Sequence, residues 1–194
     1  MTKAIRSSKT GCVITDPLLF GGESVRVELE VYWDELDRRD VAPSVYTAEM
    51  LDLMFRLPEG QPVRFEDVPR WGHGLLAEAP GWAVQCDGDY VIRCYRPSAT
   101  VQTVLAANPD DAWQEQLAAL RWFTPLGRAV VLVADMGEGF AAIDECSPVG
   151  VGVGLVQADG SWQTLLEPSI GGVQMTSARW HLAEHAVQFV RRSD

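Results

Sequence analysis

The chain has 194 residues, 47% of them hydrophobic and 22% charged, with 27 acids against 16 bases and a formal charge of −11. That composition belongs to a folded globular protein and excludes a disordered or fibrous one. No apolar run approaches the roughly 18 residues of a membrane helix, and so acidic a balance repels nucleic-acid phosphates and anionic membranes.

The opening MTKAIRSSKTGC lacks the apolar centre of a secretory signal, so a cytoplasmic protein is expected. Every base after Lys9 is arginine, as the codon bias of a GC-rich bacterial genome would give. At this size a chain buries about 70% of its unfolded surface, so a monomer or homodimer needing no cofactor, metal or disulfide is expected.

In chain order, Glu23 to Trp33 alternates strictly, with Val25, Val27, Leu29, Val31 and Trp33 on one side and Arg26, Glu28, Glu30 and Tyr32 on the other. This predicts a half-buried antiparallel strand with one wet face. Thr47 caps a helix running to about Arg56, ended by Leu57-Pro58. A Pro- and Gly-rich passage from Pro58 to Gly81 follows, carrying Trp71 and His73. WAVQC and DYVIRCY then flank Asp87-Gly88, the signal of a two-residue hairpin. That register sets Cys86 opposite Asp89, on a face with Val84, Val91 and Arg93. Cys94 falls on the other face, so the two thiols should not bond.

A short strand is expected near Thr100 to Leu105. Asn108-Pro109-Asp110-Asp111 reads as a helix start, with an Asn cap, Pro at the first position and acids at the positive end of the dipole. Strands RAVVLVAD, FAAID, VGVGVGLVQ and SWQTLLE follow, with turns at Met136–Gly139 and Asp159-Gly160. After Gly171-Gly172 a short strand leads to Ser177, which caps a final helix to about Arg192. The expected fold class is α+β, a mostly antiparallel sheet with about three helices packed on it. It forms a single domain over 1–194, with a candidate subdomain boundary near 97–108.

Motifs for chemistry are few. His181-Leu182-Ala183-Glu184-His185 fits H-x-x-E-H, whose histidines four apart on a helix would face one zinc ion. Helical geometry sets His181 and Glu184 away from the apolar stripe, so a solvated helix face is the favoured reading. Gly150-Val151-Gly152-Val153-Gly154 alternates inside a strand and leads to a turn. It therefore reads as a strand flattened for close approach, not as a phosphate loop. His73, between glycines, reads as an exposed loop histidine; its pairing with Cys146 rests on residue type alone. No catalytic or metal-binding residue is assigned.

The charges are more telling. No base lies between Arg128 and Arg179, while Asp135, Glu138, Asp144, Glu145 and Asp159 all do. With Glu28 and Glu30 from the early strand, these are the candidate binding residues. Buried tryptophans cannot be told from interface anchors by sequence.

Segments AWQEQLAALRWF and GSWQTLLEPSIGGVQMTSARWHLAEHAVQFV, within residues 108–192, resemble the immunity proteins of bacterial polymorphic-toxin systems in layout and hydrophobic rhythm. The resemblance implies a protein that binds and blocks a toxin, often a nuclease or other enzyme, and has no active site of its own. The expected function is thus a non-catalytic acidic protein that inhibits a basic protein partner, as an immunity, antitoxin-like or anti-defence inhibitor. The alternative is a small cytosolic hydrolase or transferase using His73 or the His181–His185 pair.

Overall fold

Residues 11–39, 47–169 and 176–190 are described, in a computed structural model. The alternating segment forms β3 (Glu23–Val31), which pairs antiparallel with β1 (Cys12–Ile14) and β2 (Leu18–Phe20). Two short helices follow, α1 (Trp33–Arg38) and α2 (Ala48–Arg56), then β4 (Pro62–Arg64) and α3 (His73–Glu78). As expected, Thr47 caps α2, its side chain accepting from the Met50 N–H. The hairpin β5 (Val84–Asp87) and β6 (Tyr90–Arg93) joins β4 in a small sheet of order β4-β6-β5. The large sheet continues with β7 (Ala99–Ala106), α4 (Trp113–Leu120), β8 (Arg128–Val133), α5 (Met136–Cys146), β9 (Gly152–Val156), β10 (Trp162–Leu166) and α6 (Ser177–Val187).

The large sheet is not mostly antiparallel, and the described residues hold six α-helices, not about three. Its order is β1-β3-β7-β8-β9-β10, with β2 also on β3, and both β7–β8 and β8–β9 run parallel. The cause is α5, which replaces the expected Met136–Gly139 turn and FAAID strand. Asp135 Oδ1 accepts from the N–H groups of Gly137 (2.8 Å) and Glu138 (3.0 Å), and Glu138 reaches back to the Ala134 N–H (3.3 Å). Reciprocal capping of this kind starts a helix directly after a strand. A helical crossover returns the chain to the end where it began, so the next strand must run parallel. Between β7 and β8, α4 does the same. Gly139, which suggested a turn, lies where α5 meets the sheet: a Cβ there would sit 2.6 Å from Leu165 Cδ1.

Smaller differences have local causes. Asn108 does not cap α4; its side chain accepts from the Asp110 N–H, closing a turn before the helix begins at Trp113. Thr176, not Ser177, caps α6, accepting from the Arg179 N–H. The short strand expected after Gly171-Gly172 lies outside the described residues, as do Arg191 and Arg192. In the hairpin, Asp87 pairs with Tyr90 and Cys86 with Val91, so the two-residue loop is Gly88-Asp89. A slip of two positions preserves every side chain's face. Cys86 and Cys94 accordingly stay on opposite faces, and both are free. The flattened-strand reading of β9 holds: a Cβ on Gly152 would lie 2.8 Å from the Leu166 carbonyl oxygen, and one on Gly154 2.7 Å from the Trp162 ring.

Two main cores result. The larger joins one face of the big sheet to α4, α5 and α6 through residues such as Val27, Val104, Val131, Leu120, Ala142 and Leu182. The smaller gathers α2 and the small sheet around Leu51, Leu53, Met54, Val91 and Tyr95, and takes Trp180 from α6. α6 therefore belongs to both. A minor cluster of Leu105, Val130, Leu132 and Trp162 covers the other side of the big sheet. At its carboxyl end β8 leaves β7, their last pair being Leu105 and Val130. There Gln116 of α4, 1% exposed, donates to the Leu132 carbonyl and accepts from the Leu132 N–H, both at 2.8 Å.

Candidate functional site

Four of the acids singled out by the sequence lie on or beside one helix. Asp135 caps α5, Glu138 is on its first turn, and Asp144 and Glu145 are on its last; all four are exposed. On α5 only Gly139, Ala142 and Cys146 are buried. The outward side carries Met136, 43% exposed, and Phe140, 64% exposed. Four residues apart, those two side chains share a face, one turn above the other. The outer surface of α5 thus carries a short apolar strip with Asp144 next along it, Asp135 and Glu138 around the first turn and Glu145 in the last, Asp135 and Glu145 being about 15 Å apart by ten residues of helical rise.

The other three acids do not all join them. Asp159 sits in the β9–β10 turn, accepting from the Ser161 N–H (2.9 Å) and hydroxyl (2.6 Å). Since β8 and β9 are parallel, that turn lies at the same end of the sheet as Asp135 and Glu138. Glu30 is exposed on β3 and accepts from Gln102 Nε2 at 3.1 Å. Glu28 is not on a wet face: it is fully buried and accepts from the Thr103 hydroxyl at 2.7 Å.

The histidine candidates separate. Among the described residues no three His, Cys, Asp or Glu side chains are grouped to hold a metal. Glu184 is not on a solvated face. It is 3% exposed and accepts from Arg39 Nη1 (2.7 Å) and Nη2 (3.2 Å), the Tyr95 hydroxyl (2.8 Å), and the Ser98 N–H (2.9 Å) and hydroxyl (3.1 Å). With donors on every side, Glu184 has no role left as a zinc-site base. Arg39, 1% exposed, also donates to Glu35 Oε1 (3.2 Å) and to the Arg96 carbonyl, and its guanidinium lies 4.8 Å from the Trp82 ring. Burial alone would lower the Arg39 pKa; hydrogen bonds and charge from Glu184 outweigh it, and the net shift is upward. The network ties α1, α6 and residues 95–98 together.

His181 and His185 pack their rings against Phe20, at 5.3 and 6.1 Å between centroids. Burial pushes the His181 pKa down, with His185 adding to it and Glu49 opposing. His73 is not in a loop but opens α3, its Nε2 3.1 Å from the Val68 carbonyl and its ring 4.3 Å from that of Phe65. Cys146 is fully buried in the larger core with its thiol pushed up to about 11 by burial, so it is no partner for His73 and no nucleophile.

Sequence reasoning missed Phe140, placed in an expected strand, and Met136, placed in the turn before it, because neither reading puts the two on one helix face. It also missed Arg39 and Glu35, whose signal was a pair of arginines isolated within an acidic run. No protein family, curated protein or solved structure matches this chain. Among the described residues no helix is long and apolar enough to cross a membrane.

Proposed function

We propose that this is a non-catalytic cytoplasmic binding protein that inhibits a basic protein partner, in the manner of a bacterial immunity protein. The observation that carries the reading is the outer face of α5, where exposed Phe140 and Met136 stand between Asp135, Glu138, Asp144 and Glu145. Binding energy at an interface concentrates in a few apolar or aromatic anchors, while rim charge speeds encounter and rejects partners of the wrong sign. A net charge of −11 adds a long-range field that draws a cationic partner.

The test is capture of the partner from the source organism, followed by association kinetics at low and high salt. The captured protein should be basic. Reversing Asp144 and Glu145 to lysine should slow association several-fold at low salt, with little effect at high salt. Phe140→Ser should chiefly speed dissociation. Asp135 and Glu138 are left unchanged because their carboxylates cap the start of α5. A neutral or acidic partner, or rates indifferent to salt and to reversal, would overturn the reading.

A further inference from the structure

Away from α5, the small sheet carries a cleft of about 690 Å³ lined by Arg64, Phe65, Glu66, His73, Asp89 and Tyr90. Its chemistry is lopsided. Phe65 and Tyr90 are 40% and 41% exposed, so both offer aromatic surface to whatever enters. The Val68 carbonyl can only accept, so His73 Nε2 must be the protonated nitrogen in the neutral ring, which leaves Nδ1 as an acceptor. Asp89 lies in the hairpin loop, and its carboxylate has no partner among the described residues. Arg64 is the cleft's one permanent cation, and it is already engaged by Glu66 at 3.1 Å. A visiting anion would find its positive charge spoken for, whereas a visiting cation would find a carboxylate, a ring nitrogen and two π faces.

We infer that this cleft holds a guanidinium group, presented as an arginine side chain of the basic partner. A guanidinium is planar, stacks on aromatic rings and donates in several directions at once, which a compact, strongly hydrated ammonium does not. The size of the cleft suits an arginine with its flanking backbone, since it falls in the range of small-ligand sites. The inference rests on the reading of the protein as a binder of basic partners, but it concerns a surface distinct from α5 and a probe that needs no partner.

The experiment titrates the full chain, isotopically labelled, with N-acetyl-arginine methylamide, using the citrulline and lysine analogues as controls. The arginine compound should give saturable shifts at the His73 ring and at the Asp89 and Tyr90 amides, at millimolar concentration. Neutral citrulline should give none, and lysine should bind several-fold more weakly. Asp89→Asn, well tolerated in a turn, and Phe65→Ala should each weaken arginine binding several-fold. Absence of saturable shifts, equal response to citrulline or lysine, or indifference to Asp89→Asn would overturn the inference. These outcomes are separable from those on α5. Arginine binding here with a partner that proves acidic would sink the proposed function and the partner named for the cleft, while leaving its guanidinium specificity standing. A basic partner lost with the α5 variants, with no arginine response here, would sink this inference alone.

Discussion

Helices α5 and α6 each span 11 residues, and both mix acids with small apolar side chains. They are used in opposite ways. α5 buries Gly139, Ala142 and Cys146 against the sheet, packs Ile143 partly onto it, and leaves its other residues exposed. α6 buries Trp180, Leu182, Ala183, Glu184, Ala186 and Val187, because the large core lies on one side of it and the small core on the other. An acid on the first helix is thus free to meet a partner, while an acid on the second must be satisfied from within. The lesson is that a polar residue's meaning depends on how many cores its helix serves.

The comparison can be broken most sharply at Glu184. Glu184→Ala leaves Arg39 buried without its main counter-ion, and removing one member of a buried pair costs about 3–5 kcal/mol. Urea unfolding should show this as a lower midpoint at unchanged slope. A loss below about 1 kcal/mol would mean that the network is not what holds α6 between its cores. Next in size is a matched pair on α5. Ala142→Leu overpacks a fully buried position and should cost about 1–3 kcal/mol. Ala141→Leu, one residue along and exposed, should stay within about 0.5 kcal/mol. Equal effects would contradict a one-sided α5.

A smaller effect comes from His181. Burial holds its folded pKa below the usual value of 6.5, so the unfolded chain binds the proton more readily. Stability should therefore be full above pH 6.5 and decline as the pH falls through and below that value. His181→Gln should flatten this part of the stability-against-pH curve; a parent curve flat from pH 7 to 5 would refute the effect. Smallest of all, Phe140→Ser should leave the unfolding midpoint unchanged within error, since the side chain is 64% exposed.

How much of this was legible follows the same division. β3 was readable because one of its faces is wholly apolar, and α2 because Thr47 sits directly before a helical stripe. α5 was not, since its docking side is Gly139, Ala142, Ile143 and Cys146, mostly small residues that allow close approach but leave only one large apolar side chain to count. The parallel β8–β9 pair was lost with it, because a strand in place of the crossover would lie between β8 and β9 and pair antiparallel with each. Glu184 was misplaced for a different reason. A helix buried on two sides loses the contrast between faces that pattern reading depends on. The acids of the candidate site were visible as a charge run, but their arrangement beside Phe140 needed the helix.

Gln116 has a consequence for the end of β8. Where β8 leaves β7, the primary amide of Gln116 takes the place of a peptide group, donating and accepting at Leu132 as a neighbouring strand would. The gap between the two strand ends is in effect stoppered by a side chain of the protein itself, and any group entering there would have to break both bonds. With both Leu132 groups satisfied, that end of β8 offers no free backbone pair to an added strand.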